Sequence, residues 1–121
     1  MYTIEEVPAK NRIVVIFDRF EDHDRTQFIS DIQRAALKVR SSERHFDMLA
    51  DFTQSMVMPQ PIAKDSITLS DWLLENGLRK SANIMVSITQ RMQVARVTDH
   101  DKRYDFFETR AEGERWLDQP N

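Results

Sequence analysis

The chain has 121 residues, with 17 Lys and Arg set against 20 Asp and Glu, a net charge of −3 and no Cys. That length fits one domain able to fold without metals or disulfides, and the mixed, slightly acidic charge argues against a nucleic-acid footprint. Without Cys there are no thiol nucleophiles, redox pairs or thiolate metal sites, which suits a reducing compartment.

The opening MYTIEEVPAK has neither a basic start nor a long apolar run, and no later segment reaches the length of a membrane span. The expectation is a cytoplasmic protein with no integral membrane segment. YTIEEV and RIVVIF flank Pro8-Ala9-Lys10-Asn11, a polar break that predicts two antiparallel strands. The second runs almost unbroken through Ile13, Val14, Val15, Ile16 and Phe17, the composition of a central strand covered on both faces. From about Thr26 the period lengthens. Phe28, Ile32, Ala35, Ala36 and Val39 recur at helical spacing, with Asp31, Arg34 and Lys38 between them. HFDMLADF, from His45 to Phe52, predicts a third strand ending near Asp51.

TQSMVMPQPIAKDS carries two prolines and no period, and predicts an irregular connection with about one helical turn. Ser66 or Ser70 then caps a helix whose Leu69, Trp72, Leu73 and Leu74 face inward, and Asn76-Gly77-Leu78 supplies a left-handed stop. NIMVSI predicts a fourth strand with Ile84, Val86 and Ile88 on one face. Gln90 to about Thr98 resumes helical spacing through Met92, Ala95 and Val94 or Val97, before a turn at Asp99-His100-Asp101-Lys102. Tyr104 to Phe107 is a short final strand. Thr109 and Glu112 form a T-x-x-E capping box for a last helix anchored by Trp116 and Leu117. The predicted fold class is α/β, a single domain over residues 1–121 in the order β-β-α-β-α-β-α-β-α. Right-handed crossovers make its sheet mostly parallel, with an antiparallel first strand.

LADF at the end of the third strand, W-L-x-E-N-G-L-R before the fourth, and F-x-x-R-A-E-G-E-x-W-L at the end resemble the bacterial SpoIIAA-like, or STAS-like, proteins. The resemblance covers most of the chain. It implies a short β/α superhelix related in shape to the lipid-binding CRAL-TRIO domains, and a non-catalytic regulatory or protein-interaction module. Anti-sigma-factor antagonists of that kind carry a phosphorylatable Ser in an Asp-Ser-Gly type turn after the third strand. Here the matching region reads Asp51-Phe52-Thr53-Gln54-Ser55, without Gly, so no dedicated phosphoswitch is expected.

Two Asp-His-Asp tripeptides, 22 to 24 and 99 to 101, place an imidazole between carboxylates, a pattern that can orient a base or hold a metal. Adjacent residues rarely converge on one ion, however, and Asp before a helix satisfies free backbone donors, so both read as solvated turns or caps. His45 reads as a strand-edge residue. No H-E-x-x-H, G-x-S-x-G, P-loop or G-x-G-x-x-G spacing occurs, so no catalytic residue, metal ligand or cofactor is assigned. A hydrolase assembled from distant Ser, His and acidic residues is the third-ranked alternative. Arg79, Lys80, Arg91 and Arg96 read as ordinary charged surface, with an anion site at a helix amino terminus as the competing reading.

Five of the six methionines fall between Met48 and Met92, where their flexible thioethers suit core gaps or an adaptable groove. The candidate functional surface is the aperiodic segment from Thr53 to Lys64, with Thr53, Ser55, Met56, Val57, Met58 and Ile62 covering a ligand cavity, a neighbouring subunit or the domain's own core. The expected partner is an unidentified protein or, alternatively, a small apolar ligand. A homo-oligomer is compatible with either.

Overall fold

The computed structural model describes residues 2–18, 25–54, 60–99 and 101–120. Strands β1 (Tyr2–Val7) and β2 (Arg12–Phe17) are joined by a 3-10 turn over Pro8–Lys10, closed by Asn11 in the left-handed region at φ 50°. Then follow α1 (Arg25–Val39), β3 (Phe46–Asp51), α2 (Gln60–Glu75), β4 (Leu78–Ile84), α3 (Ile88–Val97), β5 (Tyr104–Phe107) and α4 (Arg110–Asp118). The strands lie side by side in sequence order, with β1 antiparallel to β2 and every later pair parallel. This is the α/β architecture read from the sequence.

Because the strands advance in one direction, crossovers of a single hand place α1, α2 and α3 on one face of the sheet. There Ile13 and Val15 of β2 and Phe46 and Met48 of β3 pack against Phe28 and Ile32 of α1, Leu73 of α2 and Val94 of α3. The other face exposes Val14, Leu49, Ala82 and Ile84, which Leu117 of α4 covers, with half-buried Trp116 at the margin. Gly113 permits that approach, since a Cβ there would stand 2.6 Å from Ile84 Cδ1 and 3.2 Å from Ala82 Cβ. At the start of α4 one arm of the expected capping box forms, and the Glu112 carboxylate takes the Thr109 hydroxyl in place of the Thr109 backbone N–H. Thr109 Oγ1 accepts from the Glu112 backbone N–H at 3.3 Å, and its hydroxyl donates to Glu112 Oε1 at 2.9 Å.

Three local expectations need correction. β4 begins directly after Gly77 and ends at Ile84, so Val86 and Ile88 do not share a strand face with it. Ser87 instead caps α3, its Oγ accepting from Gln90 N at 3.3 Å, and this S-x-x-Q signal overrides the period-two run NIMVSI. Within α3 the buried positions are Gln90 and Val94, and Met92 points to solvent. Finally, α2 starts at Gln60, well before Ser66 or Ser70, which shortens the aperiodic connection to residues 52–59. Pro61 falls in the first turn, where a missing backbone donor costs nothing, so that proline marks a helix start rather than a break.

Candidate functional site

Of the segment proposed as the functional surface, Thr53 is exposed and folded into a local turn, its backbone N–H and hydroxyl both donating to Asp51 Oδ1 at 2.9 and 2.7 Å. Ser55, Met56, Val57 and Met58 lie outside the described residues. Ile62 belongs to the first turn of α2, with its side chain also outside the description. Residues 22–24 and His100 lie outside it as well. Asp101 is a turn residue, accepting from the Arg103 backbone at 2.9 Å and pairing with its guanidinium at 2.8 Å. Among the described residues no cluster of His, Asp or Glu is placed to hold a metal.

The four cations considered as an anion site do not converge. A register shift opposite Phe46 and Asp47 turns both Arg79 and Lys80 toward the carboxyl end of α4. Arg79 clasps Asp47 with two 2.7 Å bonds and donates to the Leu117 and Gln119 carbonyls at 2.6 and 3.1 Å. Lys80 Nζ reaches the Trp116 carbonyl at 3.3 Å and lies 4.9 Å from the Trp116 ring. Both therefore satisfy the unpaired carbonyls at the negative end of that helix. Arg91 instead donates to the Met85 carbonyl at 3.1 Å on α3, and Arg96 is exposed.

Arg12 and Asp47 were not singled out by sequence reasoning, yet both are buried in strands. Arg12 Nη2 pairs with Asp118 at 2.7 Å and stands 3.7 Å from Asp47. The Arg12 hydrogen bond holds the Asp118 carboxyl below its ordinary 3.8. This ionic chain links β2, β3, β4 and α4 and leaves its charges paired with one another. Its job is structural.

The helix-rich face holds a cavity of about 70 Å³ between the sheet and α1, α2 and α3. Its walls are mainly aromatic and aliphatic, and Ser70, Asn83, Thr98 and Tyr104 interrupt them. Ser70, read from sequence as a cap, is buried in mid-helix, where its Oγ lies 2.8 Å from the Tyr104 hydroxyl. The only sequence signal was the polar alternation Ser81 and Asn83 within a strand that must be central. Burial pushes the Tyr104 phenol up from 10.0 to about 12, with the Ser70 hydrogen bond pulling the other way. The folded chain then keeps a proton that the unfolded chain has lost. That contribution to stability is intact below pH 10.0 and is lost as pH rises through about 12. Spectrophotometric titration should show Tyr104 ionising near pH 12, well above an ordinary phenol, and a midpoint near 10 would contradict its burial.

A second feature lies on the outer side of α3. Val86, just before the cap, is 66% exposed, and Ile88 and Met92, one helical turn apart, are 75% and 55% exposed. They form a short apolar ridge at the carboxyl end of β4. Among the described residues no helix is long and apolar enough to cross a membrane. A scan of this chain against models of protein families matches none. A search of curated proteins likewise finds no match.

Proposed function

We propose that this chain is a non-catalytic interaction module, similar in role to the SpoIIAA-like proteins it resembles, that binds a protein partner through the Val86, Ile88 and Met92 ridge. The observation that carries this reading is the grouping: single exposed apolar residues are ordinary, but three large ones on one loop and helix turn are not. The residue set also supports it, because among the described residues Arg12, Asp47, Arg79, Lys80 and Asp118 are committed to each other and to the end of α4. The absence of Cys supports a cytoplasmic setting. The carrier alternative fits less well, since about 70 Å³ is far below the ~300–1,000 Å³ typical of a pocket for a drug-sized ligand.

The test is the double variant Ile88→Ser, Met92→Ser. Both side chains already face solvent, so the melting temperature should move by no more than a few degrees. Partners recovered from the native cell by the parent chain should be lost by the variant. Equal recovery by both would sink the ridge as the binding surface. A large fall in melting temperature would assign these residues to the fold instead.

A further inference from the structure

We propose that the cavity beneath α1, α2 and α3 is a binding site for one small uncharged alcohol of three or four carbons. This site is separate from the α3 ridge and does not depend on it.

Size sets the first limit. A volume of about 70 Å³ is several times the ~10–15 Å³ that one water needs, and about half the ~150 Å³ of an engineered cavity that admits benzene. Three to five heavy atoms fit. The walls supply the second limit: Phe17, Phe28, Ile32, Met48, Leu73 and Val94 line the space with carbon and leave it partly open, so most of the ligand must be hydrocarbon.

The polar groups then define one end. Ser70 and Tyr104 share a single 2.8 Å hydrogen bond, so two hydroxyl protons are present and one is left to donate. Asn83, 2% exposed, donates from Nδ2 to the carbonyls of Ser81 and Asp105, both at 3.2 Å. Two acceptors at one end of the amide identify that end as nitrogen, leaving Oδ1 as an acceptor that receives no hydrogen bond among the described residues. Tyr104 pairs with Ser81 in the sheet and Asn83 with Phe106, so Asn83 and Tyr104 are diagonal neighbours on adjacent strands, and both line the cavity. A hydroxyl placed between them donates to Asn83 Oδ1 and accepts from the Ser70–Tyr104 pair. Among the described residues no charged side chain lines the space, so a carboxylate or ammonium there would be left unpaired.

The probe is 2-propanol, titrated into isotopically labelled protein and followed by NMR. Saturable shifts are expected at the Asn83 side-chain amide and the Ala50 and Val94 methyls, with none at Ile88 or Met92. Xenon should compete, acetone should bind more weakly for want of a donor, and propionate should give no saturable shift. Tyr104→Phe is expected to weaken 2-propanol about fivefold, the value of one net hydrogen bond, while leaving xenon affinity unchanged. Shifts that rise linearly without saturating, or that appear equally at the surface ridge, would mean a cavity holding water only and would overturn the proposal. Unchanged 2-propanol affinity in Tyr104→Phe would overturn the assignment of the polar end. Ala50→Leu should fill the space and abolish both ligands; should it fail to fold, xenon competition in the parent chain still decides.

Discussion

Asp47→Ala is expected to destabilise the fold by about 3–5 kcal/mol, because it removes one partner from a buried ion pair and leaves the other charges behind. Asp47 is 4% exposed, and its two oxygens each take a 2.7 Å bond from Arg79. Among the described residues Arg12, with a side chain 3% exposed and its Nε already without a hydrogen-bond partner, would keep only half-exposed Asp118 to offset its charge. Arg79 would also lose what aims it at the end of α4. Denaturant unfolding measures the effect. A loss under ~1 kcal/mol, the range of an exposed pair, would show that water reaches these guanidinium groups. Lys10→Ala, removing a half-exposed lysine 3.4 Å from Asp118, is the matched control and should stay below that limit.

Gly77→Ala should cost about 2–4 kcal/mol for two reasons that add. Gly77 sits at φ 109°, a region that side chains rarely adopt, and a Cβ there would run into the carbonyl oxygen of Arg44, which is backbone and has no rotamer to yield. Its own carbonyl accepts from Phe46 N at 3.1 Å, so any shift to relieve the collision disturbs the start of both β3 and β4. Gly113→Ala makes the comparison. Its obstacles are the end of the buried Ile84 side chain and the Ala82 Cβ, side chains rather than backbone and with no positive φ to add strain, so a smaller loss of about 1 kcal/mol is expected. Equal losses at the two glycines would remove backbone strain as the explanation.

Much of this architecture was legible because local signals agreed with tertiary ones. The unbroken apolar run of β2 predicted a strand covered on both faces, and Ile13, Val14 and Val15 are fully buried. The helical spacing of Phe28, Ile32, Ala36 and Val39 matched the face of α1 that packs on the sheet. Asn76-Gly77 and the Thr109 cap stop and start helices where expected. Reading failed where two signals competed over the same residues. Ile84, Val86 and Ile88 alternate like a strand, but Ser87 with Gln90 caps a helix in the middle of that pattern. Arg12 and Asp47 escaped notice because no local rule says that charges in two strands will meet; the register of β2 and β3 decides that. Ser70 and Tyr104, 34 positions apart, came together for the same reason.

The placement of α4 fixes when, during synthesis, this domain can become complete. Neighbouring strands are also neighbours in the chain, so β1 to β5 and the three crossover helices can assemble progressively as they leave the ribosome. The second sheet face cannot. Val14, Leu49, Ala82 and Ile84 wait for Leu117, and Arg12 waits for Asp118, a partner 106 residues downstream. Until those residues emerge, the nascent domain presents a half-finished apolar surface and an Arg12 guanidinium that lacks its 2.7 Å partner and has only Asp47, 3.7 Å away, to offset its charge. That interval is when it is most open to chaperones and to mispairing with other chains.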